Sequence, residues 1–181
     1  MGLAVKRTGI LTRTALPWLA LLAAAACTQV QAQGVGAAAS SPLRHDALVE
    51  IQAVTGEAPI RLAVELADDA AEQARGLMHR RLTGDGEGML FVFPTAAPRA
   101  FWMHNTPGSL DLLFLDQDLR LVALIPNAEP MSDRILRADV PAQYVLEVPG
   151  GFAGRHALGL GAQVQINRRI SRGQDPVAPP R

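Results

Sequence analysis

Three polar groups set inside apolar runs are the residues of this chain best placed to do chemistry. Asp111 lies between Leu110 and Leu112 in "LDLLFLD", and Glu147 lies in "YVLEVP". The stretch "FWMHNT" runs from Phe101, Trp102 and Met103 into His104, Asn105 and Thr106. A carboxylate among leucines has to be paired or hydrogen-bonded, because burying an unpaired charge is costly. Arg75 is the expected partner of Asp111. If "AFWMH" is a strand, Phe101, Met103 and Asn105 share one face, and Trp102, His104 and Thr106 share the other. Two readings follow. In one, Arg75, Met103, Asn105 and Asp111 form a ligand-binding rim over an apolar floor. In the other, Asp111 and Arg75 are a structural ion pair, and Asn105 and Thr106 only start a turn.

Other chemistries find less support. Asp111 and Glu147 are the strand-embedded carboxylates that could serve a hydrolase as acid and base. Trp102 could anchor a protein partner. Met78, Met89, Met103 and Met131, with His79 and His104, could offer a soft metal site, but their spacing fits no such motif and methionine commonly fills cores. The four histidines are scattered singly and give no zinc signature. Ser109 lacks a nucleophile elbow. Neither a cofactor nor a metal is expected, and no catalytic residue is assigned.

The N-terminus reads as an export signal over residues 1–32. Lys6, Arg7 and Arg13 precede the apolar run "ALPWLALLAAAA", which is shorter than the roughly 20 residues of a membrane span. Val30 and Ala32 suit a peptidase site, which places the mature protein in the periplasm or outside the cell, with no membrane span. Acylation at Cys27, the only cysteine, is the alternative fate. Removing Lys6, Arg7 and Arg13 from the 17 basic residues leaves 14 against 17 acidic ones. A mildly acidic domain is a poor partner for nucleic acid. Lys6 is also the only lysine, so Schiff-base and P-loop chemistry are excluded from the mature chain.

These side chains need elements to position them. Residues 33–47 read as a flexible arm, 48–167 as a β domain and 168–181 as a disordered tail. "LVEIQAV" and "IRLAVELA" alternate and flank turn residues, so they predict a hairpin. Asp69 and Glu72 have capping-box spacing, and Ala70, Ala71, Ala74, Leu77 and Met78 suggest one buried helical stripe ending near Gly76. "MLFVF", "AFWMH", "LDLLFLD", "LRLVALIP", "QYVLEV" and "AQVQI" read as further strands. Residues 127–142, with Pro130 and Pro141, read as a long loop, and "GGFAGRHALG" as a short helix. The pattern is mostly β: a compact β-barrel or sandwich with two short helices.

Taken in order, "ARGLMHRRL", "GEGMLFVFP", "FWMHNT", "LDLLFLD" and "YVLEVPGGFAGRHALGLG" resemble domain of unknown function family 192 (DUF192), over roughly Val49 to Ile166. The resemblance implies a small, mostly-β barrel or sandwich, often exported, with no agreed activity. The family pattern would place a lysine where His104 stands. The function expected is non-catalytic binding of a small molecule, sugar or cell-envelope component at the barrel rim.

Overall fold

The computed structural model describes residues 42–169. The expected export signal, Cys27, most of the expected flexible arm and the expected disordered tail beyond Arg169 lie outside them. The elements run β1 (Ala47–Gln52), β2 (Ile60–Ala67), α1 (Ala70–Arg75), β3 (Glu87–Phe101), β4 (Leu110–Leu115), β5 (Leu121–Ala128), β6 (Leu136–Pro149), α2 (Phe152–Arg155) and β7 (Gln163–Arg169). They form one seven-stranded sheet in the order β5-β4-β6-β3-β2-β1-β7. The fold is mostly β, as expected.

The predicted hairpin is present: β1 and β2 pair antiparallel. β2 and β3 pair parallel, which requires a crossover, and α1 with the segment after it provides one. The sheet curls until its outer strands meet. Arg120 bridges Gln163, and Leu121 N–H donates to Ala162 O at 2.9 Å. The result is a curled half-barrel. Its inner core takes side chains from every strand, among them Val49, Val64, Leu90, Leu113, Leu121, Leu146 and Val164, and is plugged by Phe152 of α2.

A second apolar layer covers the outer face. It holds Met89, Phe91, Leu112, Phe114 and Val145. β4 is therefore buried on both faces, and this is why its sequence is almost continuously apolar. The cover comes from β3 itself. Its pairing with β6 shifts between Val92 and Ala97, at a bulge beside Pro94. The strand folds back there, so Phe101 meets Phe91 edge to face at 5.0 Å, although ten extended residues would span roughly 33 Å. "MLFVF" and "AFWMH" are thus one bent strand. The strand ends at Phe101, and Trp102 to Thr106 form a loop. Phe101 and Met103 both pack into the outer layer, but Asn105 stands in a turn, so the expected shared strand face of Phe101, Met103 and Asn105 is not formed.

Two further expectations are corrected. Most of 127–142 is strand, and the loop between β5 and β6 is only 129–135. Pro141 sits opposite Pro98, next to a register shift, so both missing N–H groups fall at an irregular part of the ladder. α1 has no buried residue; Ala70, Ala71 and Ala74 are exposed. A six-residue helix of small side chains is held by its ends instead. Asp69 accepts from Glu72 N–H at 2.8 Å, and Gly76 (φ 49°) closes the helix with its N–H on Glu72 O.

Close packing between β3 and β6 gives a stability test. A Cβ on Gly88 would stand 2.9 Å from Glu147 O and 3.0 Å from Leu62 Cδ1. Gly88→Ala should destabilise the domain by about 1–3 kcal/mol in chemical denaturation. Gly84→Ala, in open space, should change it by less than about 0.5 kcal/mol.

Candidate binding site around the Trp102–Thr106 loop

Asp111 is fully buried, but among the described residues no guanidinium pairs with it. Oδ1 accepts from the backbone N–H of Asn127 at 2.7 Å and Gly151 at 2.9 Å, and Oδ2 accepts from Ala153 N–H at 2.8 Å. The predicted Arg75–Asp111 pair is therefore not formed. Asp111 ties β4 to the end of β5 and to the start of α2, with its oxygens engaged by amides. It is a structural anchor and not a ligand contact. Arg75 is 55% exposed, and its nearest carboxylate is Glu65 at 3.8 Å.

The outer face carries the charges that matter. Glu65 lies opposite Met89, Met89 opposite Glu147, and Glu147 opposite Leu112. Cross-strand partners share a face, so Glu65, Met89 and Glu147 form one row. Asp111 pairs with Val148 and points to the other side of the sheet. An acid–base pair of Asp111 and Glu147 on one substrate is thereby ruled out.

Arg80 covers this row from the segment after α1. Its Nη1 meets Glu65 Oε2 at 2.7 Å, and its Nη2 donates to Gly76 O at 2.6 Å. Arg44 N–H also donates to Glu65 Oε2 at 2.9 Å. Burial alone would push the Glu65 pKa up, but the hydrogen bonds from Arg80 and Arg44 outweigh it and hold the carboxyl below its ordinary range. Glu147 has no such donors. It is only 5% exposed, and among the described residues its Oε2 lacks a hydrogen-bond partner, as does Arg80 Nε. Burial pushes its pKa up to about 8, against the opposing charge of Arg80, so at neutral pH it is mainly the uncharged acid.

Loop 102–106 separates two cavities. Asn105 has φ 51°, and its carbonyl accepts from His79 N–H at 2.7 Å, as a turn residue does. Met103 N–H donates to Ser132 O, and Met131 N–H to Thr106 O, which ties the loop to 129–135. Trp102, His104 and Thr106 line a small pocket with Arg75, Phe101 and Glu147, of about 30 Å³. Met103 lines the other cavity, a cleft of about 530 Å³ bounded by β5, loop 129–135 and β6. The four expected site residues thus do not converge: Arg75 lines the pocket, Met103 the cleft, Asn105 forms the turn between them, and Asp111 is sealed elsewhere. Trp102 is 48% exposed and stacks on His104 at 4.9 Å. The methionine site also fails to form, since Met89 is sealed in the outer core while Met131 lies exposed on the surface. Sequence reasoning missed Glu65 and Arg80. Glu65 sits in "AVELA" as Glu147 sits in "VLEV", and the shared pattern could have marked both.

Two measurements check these assignments. Asp111→Ala strands buried amides and should cost at least about 3 kcal/mol by chemical denaturation. The second concerns pH. Glu147 holds a proton in the native state that the unfolded chain releases near its ordinary 4.5, while the native group releases it near 8. The native state is therefore progressively destabilised as pH rises between those values, and the loss levels off above them. Glu147→Gln should flatten this part of the stability–pH profile and exceed the wild type at about pH 9 by on the order of a few kcal/mol.

The chain can now be set beside known proteins. DUF192, described as "Uncharacterized ACR", matches residues 51–166. A solved structure from Sinorhizobium meliloti 1021, named provisionally as a transcription regulator, is 32% identical with a TM-score of 0.66, over 70% of this chain and 97% of that one. A protein of unknown function from Novosphingobium aromaticivorans DSM 12444 is 37% identical with a TM-score of 0.62, over 65% of this chain and 83% of its own. Among the curated proteins, none matches. The matched span takes in β2 to β6, the end of β1, the start of β7, both helices and the Trp102–Thr106 loop between the cavities, and it makes this chain a member of the DUF192 family, whose function is unknown.

Proposed function

We propose that this chain is an exported, non-catalytic domain that binds a small molecule, sugar or cell-envelope component in the cleft between β5 and β6. The cleft of about 530 Å³ lies in the roughly 300–1,000 Å³ range of small-molecule sites. Met103, Ile125 and Leu136 give it apolar walls. Glu129, Arg134, Arg137 and Asp139 also line it, and among the described residues none of these side chains has a hydrogen bond or ion pair. This is the observation that carries the reading. Charged groups beside an apolar surface suit a ligand with one apolar face and several hydroxyl or amide groups, as a sugar has. Met103, marked in the sequence as a rim residue, supports the same location.

The leader pattern supports export. Among the described residues no helix is long and apolar enough to cross a membrane. The regulator description of the Sinorhizobium meliloti relative is not carried over, since the chain without its leader holds fewer basic than acidic residues.

A thermal-shift screen of the chain against envelope sugars and peptides tests the proposal, because a ligand of the native state raises the melting temperature. The double variant Arg134→Ala/Arg137→Ala should weaken any hit by about tenfold or more, since a charge-assisted hydrogen bond contributes about 1.5–3 kcal/mol. Arg61→Ala, at an exposed position of β2 that does not line the cleft, should leave affinity unchanged. A hit indifferent to the double variant, or a screen without hits, would contradict the cleft as the site.

A further inference from the structure

The small pocket above Glu147 is separate from the cleft and has a different chemistry. Glu147 lines it, 5% exposed, and among the described residues its buried Oε2 has no hydrogen-bond partner. A cavity of about 30 Å³ is room for one water or for one ligand oxygen. Protein donors stand near Glu147, and among the described residues none bonds to its Oε2. Arg75 stands at the mouth, more than half exposed, with only a long 3.8 Å contact to Glu65. Arg80 carries a buried Nε–H without an acceptor, and its charge acts on Glu147. Thr106 and Gln73 are committed to backbone carbonyls, Thr106 to His104 O and Gln73 to Ala67 O and Val92 O. Glu65, the other carboxylate of this face, is occupied by Arg80 and Arg44. His104 is held by Asp133 through Nδ1 at 2.6 Å, with its ring against Trp102.

We propose that this pocket is a carboxylate-binding site. One oxygen of an organic acid enters and accepts the Glu147 O–H, the Arg75 guanidinium meets its charge, and the Trp102–His104 stack supports the body of the ligand. A neutral carboxylic acid is required at the base, because a second carboxylate there would repel the ligand. An organic ammonium is disfavoured by Arg75 and Arg80. The chemistry is shared by free aromatic acids and by acidic sugars.

Isothermal titration with benzoate and with galacturonate, at about pH 6 and about pH 9, tests the site on the whole chain. Benzoate binding identifies a free aromatic acid as the source, and galacturonate binding an acidic sugar. The carboxyl of Glu147 is about nine-tenths ionised one unit above its midpoint, so affinity should fall about tenfold at the higher pH. The groups facing it that charge or carry charge are Glu65, Arg75, Arg80 and His104. Glu147→Gln separates their effects from its own: this variant should bind at both pH values with less than about a threefold change, being neutral throughout. Arg75→Gln should lose binding at both, while a thermal melt confirms that this exposed substitution leaves the domain folded. Failure of both acids to bind at the lower pH would overturn the proposal. So would equal affinity in Arg75→Gln, or a pH loss that persists in Glu147→Gln.

Discussion

The ion pair between Arg80 and Glu65 organises the outer face of the half-barrel. Both side chains are removed from water, so their contact does not by itself stabilise the fold strongly, because desolvation offsets most of the attraction. Its consequence is geometric. Arg80 also binds the carbonyl of Gly76, the residue that ends α1. The segment after the helix is thereby fixed over the Glu65–Met89–Glu147 row, where Leu77 joins the outer core. Removing either partner would strand a buried charge at a cost of about 3–5 kcal/mol. Because Glu65 takes Arg80's short contact, Glu147 is left without one.

Three carboxyl groups buried among the described residues show three ways of meeting the same requirement. Asp111 satisfies its oxygens with backbone amides and so anchors β5 and α2. Glu65 satisfies its charge with a guanidinium and an amide. Glu147 keeps its proton. The first two solutions join separate elements and are structural. The third leaves a donor and a small space beside it, and such a group is more useful to a ligand than to the fold.

Much of the fold was legible in the residues. Alternation marked the β1–β2 hairpin, Asp69 and Gly76 marked the ends of α1, and the ordered motifs marked the family. The sequence also said that Asp111 must be satisfied where it stands. It did not say by what, since backbone amides bear no sequence signature, and a guanidinium was the expected answer. The bend in β3 was hidden because "PTAAPR" reads as a connection, whereas the bulge keeps it inside one strand. That bend, together with the segment after α1, covers the outer face and leaves Glu65 and Glu147 in the interior. The candidate site was legible only in part for the same reason: Met103 and Arg75 each border a cavity, but the two cavities are created by a fold-back that no local pattern announces.

Glu147 keeps its proton because its carboxyl is buried and no protein donor meets its Oε2 among the described residues. A carbon-13 NMR titration of glutamate side-chain carboxyls, with Glu147→Gln used to assign the resonance, measures this directly. The account predicts a midpoint near 8 for Glu147. A midpoint near the ordinary 4.5 would show that water or a donor reaches the carboxylate, and would contradict it.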